Sequence, residues 1–272
     1  MNIKRLLLLP VLAFLLSAVL MAQDSSYLSF RERLDSIVAT NYVKQNNYYH
    51  FARLYQRFSD ELKKLSAIGK LNDSSFTHKL EGRFGYYFIK NYDSISNGSF
   101  SAYAWQTAFD TLNHPSKYPS SLMLSINAHV SHDLLFALSD IFKTYPPNRK
   151  RKKDYIIVAK LHHKIVKDYF ENILQYVDAN KKWERQALRK LSRQVGHILK
   201  IERNRIWRKA KKGLKKPHKL KKYENRQIKQ SIKRTNFLLK PKGLTKKGFL
   251  IANKLDKLSF AERAFLINNK RP

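Results

Sequence analysis

From about residue 27 to residue 212, apolar residues recur with the 3.6-residue spacing of an amphipathic helix, and no convincing stretch alternates with period two. The spacing predicts helices over about 27–40, 46–67, 74–92, 99–112, 119–144, 152–178 and 181–212. Between them lie short turn-forming segments such as Gly69-Lys70-Leu71-Asn72-Asp73, Ser96-Asn97-Gly98, His114-Pro115-Ser116 and Tyr145-Pro146-Pro147-Asn148. Ser74 and Ser99 are suited to N-caps, and Pro119 to a first helical turn. With only 8 glycines in 272 residues, a glycine-punctuated β-sandwich is disfavoured. The expectation is an all-α, antiparallel multi-helix bundle. Aromatic residues clustered in the first half, including Phe51, Tyr55, Phe58, Phe84, Trp105 and Phe109, are read as its core.

The sequence contains no cysteine, which excludes thiol catalysis, iron–sulfur ligation and disulfides. Residues 1–22 have the pattern of a secretory signal peptide: Lys4 and Arg5, an apolar run from Leu6 to Met21, and Ala22 before the polar Gln23-Asp24-Ser25-Ser26. The expected destination is periplasmic, secreted or on the outer surface.

Charge is unevenly spread. The whole chain carries a formal +34, yet residues 1–148 hold 15 Lys+Arg against 11 Asp+Glu, and residues 149–272 hold 39 against 9. Between 205 and 247 there are 18 basic residues and one acid, Glu224, with Gly213, Pro217, Pro241, Gly243 and Gly248 expected to break long helices. The expected organisation is a leader at 1–22, a helical bundle at 23–208, and a basic, partly flexible appendage at 209–272. For an exported chain the natural partners of such a segment are anionic membranes or envelope polymers. Nucleic acid is less favoured, since Tyr223 and Phe237 are the only aromatic residues between Arg208 and Lys247 available for base stacking. Phe237-Leu238-Leu239, Phe249-Leu250-Ile251 and Phe265-Leu266-Ile267, set among lysines, fit interfacial helices. No specific protein partner is predicted.

The most apolar helix, 119–144, interrupts its hydrophobic surface with Asn127, His129, His132 and Asp133. His129 and Asp133 are four residues apart and share a face, whereas Asn127 and His132 project to opposite flanks. A buried Asp133 needs a donor, a cation or a metal. On the following helices, His162 lies on the apolar stripe, and Glu202 and Arg205 continue the stripe of 181–198; Arg83 sits beside Phe76, Leu80 and Tyr87. Two readings stand. In one, His129 donates to Asp133 in a core hydrogen-bond network, and Arg83 or Arg205 neutralises the acids. In the other, His129, Asp133, His162 and Glu202 bind a divalent metal such as zinc while Arg83 or Arg205 holds an anionic substrate.

Ser125-Ile-Asn127-Ala-His129-Val-Ser-His-Asp133-Leu134 resembles the N-A-H-[I/V]-N-x-D-L signature of a bacterial group, domain-of-unknown-function family 5995. Arg83-Phe84 with Tyr86-Tyr87-Phe88, Trp105 with Phe109, Asp168-Tyr-Phe before Asn172, and Arg203-Asn-Arg205-Ile-Trp207 are similar in order. The resemblance spans roughly 45–210, with Ser131 standing where the family usually has Asn. It implies a helical fold, draws attention to Asn127, His129 and Asp133, and assigns no reaction. A fainter likeness is to zinc-dependent phospholipase C and single-strand nucleases through the H-x-x-x-D spacing of His129 and Asp133; their H-x-x-x-E pair has no counterpart after His162 or His197.

Two functions follow. One is an exported helical protein that binds anionic envelope surfaces through its basic segment. The alternative is a metal-dependent hydrolase of phosphate esters or phospholipids centred on His129 and Asp133. The leader makes the first prediction: intact mass of the natively exported protein should place its N-terminus at Gln23, and a chain beginning at Met1 would refute cleavage.

Overall fold

The computed structural model describes residues 27–112, 118–176, 180–240, 242–252 and 258–268, so the leader lies outside the described residues. The protein is an all-α multi-helix bundle. Helix α1 (residues 27–43) precedes α2 (Tyr48–Ala67), α3 (Ser74–Ser96) and α4 (Tyr103–Leu112). The most apolar stretch forms α5 (Tyr118–Asn127), a π-helical turn (Ala128–Asp133) and α6 (Leu134–Thr144). Then come α7 (Arg149–Ile173), α8 (Lys182–Lys215), α9 (Leu220–Leu239), α10 (Gly243–Ala252) and α11 (Phe260–Asn268). Among the described residues no helix is long and apolar enough to cross a membrane.

Local chemistry explains two of the helix starts. The side chain of Asp73, rather than Ser74, caps α3 by accepting the Phe76 amide at 2.9 Å. Asn148 caps α7 by accepting the Arg151 amide. Ser99 caps nothing, because α4 begins only at Tyr103. The fully buried Asp154 carboxylate accepts the backbone amides of Asn72 and Asp73 and the Asn72 side chain, which fixes the α2–α3 connection against α7.

The core is densely aromatic between α2, α3 and α4 and richer in aliphatic residues along α5 and α6. Phe51, Tyr55, Phe58, Phe84, Phe88, Trp105 and Phe109 are buried and interlocked by edge-to-face and stacked contacts, as the sequence pattern predicts. Helices α5 and α6 supply Leu122, Leu124, Leu134, Leu135, Leu138 and Phe142, and α6 packs on both α3 and α8.

The basic C-terminal region differs from the expected appendage. Helix α8 runs past residue 208 to Lys215, and the expected breaker Gly213 lies inside it, where the absence of a Cβ admits the Leu220 side chain. Helix α9 packs on α4, α5, the π turn and α8. Its inward stripe is Gln227, Ser231 and Thr235, each fully buried. Because that stripe is polar, hydrophobic periodicity could not reveal it. Helix α11 rests on α2 and α7, with Leu266 and Ile267 buried and the Leu266 carbonyl accepting from Asn172.

Glycine also permits two close approaches. A Cβ on Gly196 would fall 1.9 Å from Cε1 of His163, and one on Gly85 would fall 2.0 Å from Cε2 of the buried Phe30. Since Phe30 is enclosed, it cannot swing clear. Gly85→Ala should therefore destabilise the fold by about 1–3 kcal/mol, measured by urea unfolding, and Gly85→Ala/Phe30→Leu should recover part of the loss.

Candidate functional site

The π-helical turn gathers the polar residues of the motif. Asp133 has no solvent exposure, and its two oxygens receive three N–H groups: Trp105 Nε1 at 2.9 Å and His129 Nδ1 at 3.1 Å on Oδ2, and His132 Nδ1 at 2.8 Å on Oδ1. Burial alone would raise the Asp133 carboxyl. The bonds from His129 and His132 outweigh that effect and hold it below the ordinary carboxylate range. The expected His129–Asp133 pairing is thus present as a hydrogen bond. His132 also reaches Asp133, in contrast to the opposite flank expected of an unbroken 3.6-residue helix, since a π turn advances each residue by a smaller angle.

His129 lies flat against Phe84, with centroids 3.5 Å apart at 12°, and meets Tyr55 and Phe51 edge-on. Burial lowers its basicity despite the Asp133 bond, and the charge of Arg203 acts in the same direction. It is a neutral ring that donates through Nδ1; its Nε2 has no hydrogen-bond partner.

Phe84 also borders a cavity of about 10 Å³, together with Glu81, His162 and Arg203 among Phe58 and Leu134. His162 stacks on Phe58 at 3.5 Å and donates from Nδ1 to the Val158 carbonyl, which leaves Nε2 as an unpaired acceptor. Burial, then the nearby Arg203, drives it well below the ordinary histidine range. Burial pushes the Glu81 carboxyl up to about 7, against the lowering influence of the nearby Ser59 and Tyr27 hydroxyls. Arg203 is 2 % exposed, and its Nε and Nη2 lack partners.

A second polar cluster surrounds Glu202, which is also fully buried. Glu202 accepts from Gln227 and Arg234 of α9, with Arg205 3.6 Å away. Gln227 also donates to the Ser131 carbonyl, Arg234 to the Ser131 hydroxyl, and Asn127 to Thr235. The motif residues Asn127 and Ser131 therefore hold α9, whereas His129 and Asp133 face α4 and the aromatic core.

The expected four-ligand centre is not assembled. Glu202 is saturated by α9 donors, His129 is bonded to Asp133, and His162 is turned to its own backbone. Among the described residues, no group of three or more His, Asp or Glu could hold a metal ion. Nor do Arg83 and Arg205 serve Asp133. Arg83 pairs with Asp140, 2.6 Å away, beside the Tyr87 hydroxyl, and Arg205 remains a weak partner of Glu202.

Periodicity and motif do not single out Glu81, Gln227 or Arg234, and they give no bonding role to His132, Trp105 or Arg203. Two signals were available. The i, i+4, i+7, i+11 series Leu199-Arg203-Ile206-Ala210 places Arg203 on the buried stripe of α8, and a buried indole N–H needs an acceptor.

The sequence model for a family of unknown function (DUF5995) matches residues 29–241. The chain belongs to that family. No curated protein and no solved structure matches it. The DUF5995 match extends beyond the roughly 45–210 expected, from α1 through the end of α9, so the α9 helix held by Asn127 and Ser131 lies inside the family unit.

The buried ionisable groups predict how stability responds to acid. His50, on α2, is lowered by burial and Arg263 to about 3, and joins His129 and His162 as an imidazole kept neutral in the fold. In the unfolded chain each protonates near pH ~6.5. Acid therefore favours unfolding as pH falls below that value. Glu81, with its raised value of about 7, opposes the trend by holding a proton that the unfolded chain releases. At about pH 5.5 the neutral histidines outweigh Glu81, so unfolding should take up protons. Urea unfolding at several pH values should show stability rising from about pH 5 to 6.5; a flat or falling profile would contradict the neutral histidines.

Proposed function

We propose that this DUF5995 protein is exported and that its C-terminal helices bind it to anionic phospholipid surfaces of the cell envelope. The observation that carries this reading is the two-sidedness of α9. Lys222, Arg226, Lys229 and Lys233 are all exposed, and their spacing of four, three and four residues puts them on one side of the helix. The buried stripe Gln227-Ser231-Thr235 lies on the opposite side. A cationic row on a helix fastened to the core through Glu202 and Asn127 forms a fixed positive surface. Exposed Lys211, Lys212, Lys215 and Lys216 at the end of α8 add to it, and Phe237, Leu239, Leu250 and Phe265 expose apolar surface in the same C-terminal helices. Lysines with exposed apolar side chains suit the boundary between headgroups and acyl chains. The leader pattern of residues 1–22 supplies the support for export. The enclosed Asp133 centre, with every oxygen already bonded, favours a structural role for His129 and Asp133 over hydrolysis.

Sedimentation with vesicles tests this. The protein should bind phosphatidylglycerol-containing vesicles at low salt, bind phosphatidylcholine vesicles weakly, and dissociate as salt rises. Each cation near such a surface contributes about 1 kcal/mol, so replacing Lys222, Arg226, Lys229 and Lys233 with Gln should weaken partitioning on the order of a hundredfold to a thousandfold. Because the four side chains are exposed, circular dichroism should be unchanged. Equal binding to both vesicle types, or no loss in the variant, would refute the proposal.

A further inference from the structure

A guanidinium stays charged at any physiological pH, and one sealed among apolar groups is costly unless something neutralises it. Arg203 is in that position. It is 2 % exposed, and no carboxylate among the described residues lies within ion-pairing distance. Its neighbour in sequence, Glu202, points to α9 and is occupied by Gln227 and Arg234. Tyr155 bonds only the Arg203 backbone carbonyl, at 2.9 Å. The two unpartnered nitrogens, Nε and Nη2, form one edge of the guanidinium, the edge that receives anions side-on.

Arg203 borders the cavity described above together with His162 and Glu81, whose carboxyl burial favours in its neutral form, and the remaining wall is largely Phe58, Leu80, Phe84 and Leu134. At about 10 Å³ it has room for one water-sized species. A carboxylate or phosphate group is too large for it. A water could meet the hydrogen-bonding need of the edge but not neutralise the charge. The geometry points to a binding site for a single halide ion, chloride in the cell, held by the Nε–Nη2 edge of Arg203 in the cavity between α3, α7 and α8. The ion would complete the fold by neutralising a buried guanidinium that, among the described residues, has no carboxylate within ion-pairing distance. This site is independent of the surface row on α9: it is internal, takes one monoatomic anion, and does not require the membrane reading.

Two measurements on the full chain test it. Crystals soaked in bromide should show an anomalous peak in the cavity beside Arg203. In thermal melts at equal ionic strength, chloride should raise the transition by several degrees over gluconate. Arg203→Met should lose that difference. The variant with Lys222, Arg226, Lys229 and Lys233 changed to Gln should keep it, which separates the cavity from surface anion binding. A cavity without a bromide peak, or a chloride response that survives in Arg203→Met, would overturn the assignment. If Arg203→Met does not fold, the bromide peak in the unaltered protein decides the question.

Discussion

A carboxylate with no access to water must receive its hydrogen bonds from the protein, and at Asp133 that demand organises the centre of the bundle. Removing such an ion from water costs several kcal/mol, which is offset only when donors are close and well aimed. Three N–H groups meet that condition, one from α4 and two from the π turn itself. The requirement fixes the depth at which Trp105 inserts and the plane of His129, hence the stack on Phe84 and the aromatic packing around it. Within the π turn, His132 is placed to donate to Asp133 at 2.8 Å. The π turn is therefore part of how the charge is satisfied.

The other side of the same six residues supports the basic helices. Ser131 accepts from both Gln227 and Arg234, and Asn127, immediately before the turn, donates to Thr235. With Glu202 these groups replace an apolar seam by a hydrogen-bonded one. Such seams stabilise less per unit area than hydrocarbon but penalise wrong registers, because a shift would leave buried donors and acceptors unpaired. Their consequence is electrostatic. A helix rich in lysine that would otherwise be a solvated tail is held in one orientation, so its cations form a directed surface rather than a diffuse cloud.

Much of the fold was legible beforehand because helix formation and turn chemistry are local. The predicted helices from 27–40 to 181–212 recur with ends shifted by a few residues, and the aromatic residues occupy the core. Asn127, His129 and Asp133 could be marked as polar residues on a buried helix, and their exposures of 8, 3 and 0 % agree. The His129–Asp133 pair could be marked too, but the partners on other helices could not. Glu202 continued an apolar stripe and so looked available to the same centre as Asp133, yet it is committed to α9. Arg205 was placed on that stripe, whereas the buried guanidinium is Arg203, because the inward face of α8 drifts over its 34 residues.

The sequence by itself determined an all-helical chain, the division between a near-neutral first half and a strongly basic second half, and the presence of a polar motif inside the most apolar helix. These follow from periodicity and composition, which depend on neighbours along the chain. Only the tertiary structure decided that α9 packs on the bundle, that the motif is shared between two separate polar clusters, and that Arg203 has no ion-paired carboxylate among the described residues. The physical reason is the same in each case. A buried polar group is defined by the donor or acceptor opposite it, and for Glu202, Asn127 and the Trp105 bond of Asp133 that partner lies tens of residues away in the chain and on a different helix.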